Sequence, residues 1–455
     1  MSGGVHQSGR SWILARVKGP LAGVDVHVLF VSCQALQDRL ECDPETSGPR
    51  KAGMRVLVVH ERYQSNQPSG ELGVFQDEVA VLRRAGHEVH TLVADNDAIA
   101  HMTPLGRAAL AVAAIWNPAG HRAMRDALTA ARPHVAHFHN TFPLLSPAAY
   151  DACHAAGVPV VQTLHNYRTI CPAASLYRDG VICRDCVGGS TLPAIRHACY
   201  RGSRATSASA AAMVAWHRSA GTWSRKVELF IALTKTSYAE LVRGGLPASR
   251  MAIKPNLMVD PPEPRFDDDG YVIYAGRLSE EKGVHVLLEA IRALPEIPFR
   301  IYGAGPLTEL VAQAAATTPN LSFLGRRPQR ECIEAMRGAR LLLQASTWLE
   351  PCPMTVREAF ACGTPVVATA IGGLTDMVEP DVNGLHCAPN DAKGLAAAVR
   401  RLMADDLLHG RLARGARATF ERDYAPEPGL AALMACYERA IRSYGGPGPA
   451  ATADR

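Results

Sequence analysis

Several absences narrow the reading of this sequence before any motif does. No apolar run reaches the roughly 18 to 20 residues that span a bilayer; the best stretch, "ALAVAAIW" at Ala109–Trp116, is far shorter. No apolar segment ahead of a small-residue cleavage site follows the N-terminus, so no signal peptide is expected and a cytoplasmic setting is the default. Aromatic residues amount to only 6% and the net charge to +5, which argues against a dedicated nucleic-acid-binding module. The mildly basic balance still suits phosphorylated ligands or an anionic membrane surface. What is present is ordinary for a globular protein, with 47% hydrophobic and 20% charged residues. At 455 residues the chain exceeds one core, so two or three domains are expected. The twelve cysteines are expected to be mostly reduced core residues, with any tight cluster suspected of binding metal.

Residues 1–53 are rich in Gly, Ser and Pro apart from "VHVLFVS" at Val26–Ser32, and are expected to be a poorly ordered extension rather than an extra strand or anchor. From Met54, short β-branched runs alternate with helical stretches, the pattern of parallel sheets in an α/β domain. An N-terminal domain over 54–255 is expected to end at "KPNLMVDPPEPRFDDDG", whose prolines and acids mark a linker at 256–270. Its Asp267–Asp269 triplet reads as solvated linker rather than as a metal site, because no strand precedes it. The alternation restarts over 271–427, a last helix is expected over 428–443, and a Gly/Pro/Ala tail at 444–455 reads as disordered.

In the second half, Glu350 and Glu358 flank "PCPMTVR". On one continuous helix they would lie about 80° apart in azimuth and about 12 Å apart along the axis. Pro351 and Pro353 forbid that helix, so Glu350 is expected on an extended loop and Glu358 about one turn inside a helix from Met354 to Cys362 closed by Gly363. Such a loop folded over the helix start would let both carboxylates line one crevice. Carboxylates accept hydrogen bonds from sugar hydroxyls, and the free N–H groups at the helix start, where Met354 and Thr355 lie, attract phosphate. "AGRLSEEKG" places Arg277 and Lys282 at a strand's carboxyl end, two cations suited to a diphosphate. Gly303 and Gly305 in "YGAGP", and the turn in "IGGLTDMV", allow close approach of a ligand.

These residues resemble the retaining glycosyltransferases of family 4. The similarity runs from Met54 to about Tyr437 and is carried by the E-x7-E pair, the loop Gly276–Gly283 and "EAFACGTPVVAT" at Glu358–Thr369. The resemblance implies a GT-B fold: two doubly wound Rossmann-like domains facing a central cleft, with a C-terminal helix crossing back. It implies that the C-terminal domain binds a nucleotide-sugar donor, with Arg277 and Lys282 on the diphosphate, Glu358 on the ribose and Glu350 on the transferred sugar. Gly70 matches the family's glycine loop, although Ser69 stands where a second glycine is usual, and His165 in "TLHN" matches the histidine beside the transferred sugar. His137 and His139 are weaker candidates. Cys352 and Pro353 replace the usual Phe-Gly, and Arg357 an aliphatic residue.

Cys171, Cys183, Cys186 and Cys199 are separated by 11, 2 and 12 residues. They read as a structural Zn²⁺ site, a disulfide-bonded or redox cluster, or free thiols; four thiolates would leave no open position for catalysis. The expected activity is transfer of a sugar, with retention, from a nucleotide-diphosphate donor to a glycan, lipid-linked or small-molecule acceptor. No catalytic metal is expected, since no acidic motif is placed to hold one. Peripheral contact with the inner face of a membrane fits relatives that act on lipid-linked glycans; "RSAGTWSRK" at Arg218–Lys226 has the charge for it but reads first as a solvated charged turn. A sugar-nucleotide epimerase, and a zinc-dependent nucleic-acid-binding module, are the alternatives.

Overall fold

The structure, a computed structural model, describes residues 13–18, 25–30, 53–63 and 70–444. The chain divides into two compact units. The first combines Met1–Leu164 with Ala208–Ile231 and Met434–Arg455; the second combines His165–Ser207 with Ala232–Leu433.

In the first unit a parallel sheet is built from β3 (Arg55–Arg62), β4 (Glu88–Asp95), β5 (Val135–Phe138), β6 (Val160–Thr163) and β9 (Leu229–Ala232), in the order β9-β6-β5-β3-β4. Strands β5, β6 and β9 are buried along their whole length, as expected where helices cover both faces of a parallel sheet. The helix Gly70–Arg84 joins β3 to β4, with Glu71 in its first turn and Arg83 and Arg84 in its last, each complementing the helix dipole. Residues 1–53, expected as an unstructured extension, hold two strands, β1 (Ile13–Lys18) and β2 (Asp25–Phe30), which pair antiparallel. The remainder of that extension up to Ala52 lies outside the described residues.

The second unit carries a six-stranded parallel sheet in the order β13-β12-β11-β14-β15-β16. Its strands are β11 (Val272–Ala275), β12 (Phe299–Tyr302), β13 (Leu321–Gly325), β14 (Leu341–Gln344), β15 (Val366–Thr369) and β16 (Gly384–Cys387). Order reverses between β11 and β14, which leaves the loops after these two central strands side by side. Val272, Ile301, Leu343 and Val367 on the sheet pack with Leu287, Leu395 and Val399 from covering helices. Two Rossmann-like parallel-sheet α/β units thus make up the fold.

The division differs from the sequence reading at three places, one being residues 232–255, which are expected in the first domain and fall in the second unit. Cysteine-bearing residues 171–199, expected in the first domain, fall in the second unit, which also holds the short hairpin β7 (Tyr177–Arg178) and β8 (Val181–Ile182). The expected linker 256–270 also belongs to the second unit and is pinned to it by backbone bonds: Met258 donates to the Tyr424 carbonyl, Arg265 to that of Cys362 and Asp269 to that of Gly338. The Asp267–Asp269 triplet is accordingly not simply solvated. Asp268 pairs with Arg340 at 3.1 Å, and Asp267 and Asp269 with Arg265 at 3.2 and 2.7 Å. The last helix spans Pro426–Ser443, and from Met434 onward its residues cluster with the first unit. The tail beyond Tyr444 lies outside the described residues.

Candidate functional site

The helix Met354–Cys362 begins just after Pro353 and stops at Gly363, whose φ of +79° is the left-handed C-cap that glycine adopts without strain. Glu358 is therefore its fifth residue and Glu350 lies outside it, on the loop that leaves β14. That loop is tightly held. The Glu350 carbonyl accepts a hydrogen bond from Gly373 N at 2.6 Å, and the Pro351 carbonyl one from Thr234 Oγ1 at 3.0 Å. Gly372 has a φ of +57°, and a Cβ there would stand 2.6 Å from Glu350 N, so the "IGG" turn is a close backbone approach to the Glu350 loop.

The two carboxylates have different partners. Glu350 is 2% exposed; its Oε1 accepts from Lys282 Nζ at 2.7 Å and from the Ser346 hydroxyl. The Lys282 ammonium also lies 5.9 Å from the centroid of the Trp348 ring, within cation–π range. Thus the loop after β11 and the loop after β14 meet through the charge-assisted Lys282–Glu350 hydrogen bond and through Thr347 N, which donates to the Glu281 carbonyl at 2.9 Å. Glu358 is also buried, and its Oε1 accepts from Gln329 Nε2 at 2.6 Å, at the start of the helix Gln329–Gly338.

Arg277, five residues before Lys282, has an exposed side chain. Its carbonyl accepts from the buried Tyr274 hydroxyl at 2.9 Å, which fixes the loop backbone while leaving the guanidinium in solvent. Gly303 follows β12 with a φ of +152°, and a Cβ there would stand 1.9 Å from the Gly276 carbonyl oxygen. A Cβ on Gly305 would meet the Leu278 carbonyl at 2.3 Å. These glycines let the loop after β12 lie against the Arg277 loop. At the helix start, Thr355 Oγ1 accepts from Gln344 Nε2 at 2.9 Å, and Met354 Sδ accepts from Asn256 Nδ2 at 3.8 Å.

The two residues that the family pattern does not account for have structural partners. Arg357 is 1% exposed and its guanidinium donates to the Leu257 carbonyl. Burial pushes the Cys352 thiol up to about 11, although the Asn256 backbone and the charges of Arg357 and Lys254 oppose the shift. Both side chains anchor the 254–270 segment.

His165 is half-buried just past β6 and belongs to the second unit. Gly70 begins the helix Gly70–Arg84 in the first unit, and residues 64–69 before it lie outside the described residues. Tyr177, on the hairpin inside the cysteine-bearing stretch, approaches Thr347 with hydroxyls 3.1 Å apart, so this stretch touches the loop that carries Glu350. Burial pushes the Cys186 thiol up to about 11, with smaller contributions from neighbouring Cys171, Cys199 and Cys183. The four cysteines are thus gathered. Among the described residues, however, the group of metal-ligating atoms lying within 4.8 Å of one another is Glu78, His137 and His139, not the thiols. Sequence reasoning did not find Ser346, Trp348, Gln329 or Gln344. Nothing in residue type or spacing says which way a serine or glutamine on a strand-end loop will face.

Two doubly wound units, the second with a lysine–glutamate pair and glycine turns at the carboxyl ends of its strands, make up a GT-B fold. Residues 259–419 match the model described as "Glycosyl transferases group 1", and residues 73–256 match the "Glycosyl transferase 4-like domain". The chain belongs to this group 1, 4-like glycosyltransferase family. It is 34% identical over 188 residues to a glycogen synthase of Mycobacterium tuberculosis (strain CDC 1551 / Oshkosh), covering 39% of this chain and 44% of that one. It is 32% identical over 182 residues to the D-inositol 3-phosphate glycosyltransferase of Xylanimonas cellulosilytica, covering 38% of this chain and 43% of that one. The matched segment thus spans less than half the length of these relatives. Among solved structures, Anabaena HepE in complex with UDP-glucose superposes with a TM-score of 0.58 at 19% identity, over 85% of this chain and 100% of that one. Sucrose-phosphate synthase from Thermosynechococcus elongatus gives 0.61 at 16% identity, over 86% and 100%. These two define the fold.

Proposed function

We propose that this protein is a retaining glycosyltransferase that moves a sugar from a nucleotide-diphosphate donor to a glycan, lipid-linked or small-molecule acceptor. The observation that carries the reading is the Lys282 Nζ–Glu350 Oε1 contact of 2.7 Å, which joins two adjacent strand-end loops of the second unit. Lys282 and the exposed Arg277 supply positive charge for a leaving diphosphate, with the N–H groups at Met354 and Thr355 as further donors. Glu350 positions Lys282 and accepts from a hydroxyl of the transferred sugar, Glu358 accepts from the ribose, and Gly303 and Gly305 admit the donor. His165 serves beside the sugar, and Gly70 against the phosphate. The UDP-glucose of the HepE complex supports a uridine nucleotide as the first donor to test. Protein groups supply the charge stabilisation in this scheme, so no catalytic metal is invoked.

Attack from the leaving-group face preserves the anomeric configuration, with the departing diphosphate taking the acceptor's proton. Incubation with a nucleotide-sugar panel, with and without acceptors, followed by mass spectrometry and NMR of the product, tests this. An acceptor-dependent product of retained configuration is expected. Isomerised donor without acceptor would point to an epimerase, and inversion would overturn the retaining mechanism.

Two accessory features belong to the same reading. Cys171, Cys183, Cys186 and Cys199 bind structural zinc, which holds the stretch that touches Thr347; metal analysis showing no zinc and four titratable thiols overturns this. No helix among the described residues is long and apolar enough to cross a membrane. The protein works in the cytoplasm, with Arg218–Lys226 giving peripheral contact with the membrane. Sedimentation with anionic vesicles that leaves all protein in the supernatant would exclude that contact.

A further inference from the structure

We propose that Glu78, His137 and His139, inside the first unit, form a buried structural site for a divalent transition metal, with zinc the ion whose ligand preferences fit best. His137 is the penultimate residue of β5, and His139 follows two positions later, so their rings leave the chain on the same side. Both face Glu78 on the helix Gly70–Arg84. Glu78 Oε2 lies 3.4 Å from His137 Nδ1 and 3.3 Å from His139 Nε2, and one ligand atom from each residue lies within 4.8 Å of the others. Ligands held about 2.0–2.1 Å from a tetrahedral zinc are about 3.3–3.4 Å from each other. The two edges from Glu78 match that separation. Two imidazoles and one carboxylate are a set that zinc favours, and all three side chains are shut off from water.

The surroundings agree. His137 Nε2 is engaged by Thr163 Oγ1 at 2.8 Å, the kind of outer contact that fixes the ring of a metal ligand through its second nitrogen. Independently, His60 stands beside the group, 0% exposed, its ring edge-on to His139 at 6.2 Å and stacked on Phe75 at 5.3 Å. Neither of its ring nitrogens has a hydrogen-bond partner among the described residues. A buried imidazole in that state carries the full cost of its lost hydration. An ion with a coordinated water next to His60 would supply a partner to one of these two nitrogens. His137 Nδ1 has one lone pair, so an ion bound there displaces its 2.8 Å hydrogen bond to the Tyr437 hydroxyl, which is a neighbour rather than a ligand. The site ties β5, the Gly70–Arg84 helix and the C-terminal helix of the first unit together; it takes no part in sugar transfer.

The cysteines of the second unit are a separate source of zinc, so the test removes them. The full chain carrying Cys183→Ser and Cys186→Ser is purified without chelator, its metal content measured, and its zinc-edge X-ray absorption spectrum recorded. One zinc per chain is expected, with nitrogen and oxygen neighbours at about 2.0–2.1 Å and no sulfur shell near about 2.3 Å. In that background Glu78→Gln and His139→Gln should each lower zinc content at least about tenfold, whereas Tyr437→Phe should not lower it. Should a variant fail to fold, the spectrum of the chain with the triad intact still decides. A metal-free protein, a spectrum dominated by sulfur, or zinc retained in folded Glu78→Gln would each overturn the proposal.

Discussion

The Lys282–Glu350 contact gives a prediction whose size follows from its surroundings. At 2.7 Å and an effective dielectric of about 20, two unit charges attract by about 6 kcal/mol before desolvation is counted. Desolvation removes most of that, leaving about 1.5–3 kcal/mol for a charge-assisted hydrogen bond. The two ends are unequal, since Lys282 keeps 21% of its side chain exposed and Glu350 only 3%. Lys282→Met strands a carboxylate that is then held by the Ser346 hydroxyl, and should cost about 2–4 kcal/mol, somewhat below the loss for a fully buried pair because water can enter beside position 282. Glu350→Gln leaves the ammonium able to turn toward solvent and should cost about 1 kcal/mol. The double variant should then be more stable than the sum of the single changes by about 1.5–3 kcal/mol, read from urea unfolding.

Activity separates the pair's two uses. If Lys282 also meets the leaving diphosphate, Lys282→Met should lower kcat about 10²–10³-fold under conditions where the variant is fully folded. Additive stabilities, within about 0.5 kcal/mol, would show that the pair is not coupled and refute the structural argument. Unchanged turnover in folded Lys282→Met would refute the catalytic one.

Three further outcomes follow from single sites. Burial holds the Glu61 carboxyl up to about 7 against an ordinary 4.5, despite hydrogen bonds from Leu144 N and Leu145 N. The folded chain therefore keeps a proton that the unfolded chain has lost between those values, so this group's stabilisation is complete below pH 4.5 and falls as pH rises toward 7. The slope is up to about 1.4 kcal/mol per pH unit, and urea midpoints across that window should flatten in Glu61→Gln. Gly303→Ala should destabilise by more than Gly325→Ala, because the first drives a Cβ into the Gly276 carbonyl whereas at Gly325 nothing lies within 4 Å; equal losses would mean that backbone strain alone decides. Arg357→Met orphans the Leu257 carbonyl and should cost about 1–3 kcal/mol while leaving donor affinity unchanged, which calorimetry of donor binding would check.

Local punctuation in the sequence was enough to place the E-x7-E segment. Pro351, Pro353 and Gly363 bound the helix Met354–Cys362, and apolar runs such as "LLLQ" and "VVAT" mark strands buried on both faces. The strand-end positions of Lys282 and Glu350 were legible for the same reason, and the side-by-side loops follow from the strand order. The partners were not legible. Glu350 turns to Ser346 and Lys282, Glu358 to Gln329, and no spacing rule distinguishes those directions from a shared crevice. Cys352 and Arg357 could not be read from their own neighbourhood, because they serve a segment about 100 positions earlier. That segment looked like a linker because prolines and acids are common in linkers. Its backbone bonds to Tyr424, Cys362 and Gly338 arise only from tertiary packing.

The Glu350 loop is supported from several directions, and the supports differ in kind. Gly373 N and Thr234 Oγ1 hold the carbonyls of Glu350 and Pro351, and these contacts rest on elements of the second unit's own framework. The Tyr177–Thr347 contact instead comes from a short hairpin within the cysteine-bearing stretch, the stretch on which the proposed zinc would act. A hairpin of two residues per strand has little stability of its own. Removing Cys183 and Cys186 as serines should therefore loosen the hairpin before it affects the sheet. The loss should appear as lower turnover, at most about tenfold for one neutral hydrogen bond to the loop, with the urea midpoint of the second unit nearly unchanged. Tyr177→Phe should reproduce that loss without touching a thiol. If the double serine variant turns over donor at the full rate while Tyr177→Phe does not, the hairpin holds itself and the cysteines serve another purpose. If neither change lowers turnover, Glu350 is positioned by Gly373, Thr234, Ser346 and Lys282 without help from the insert.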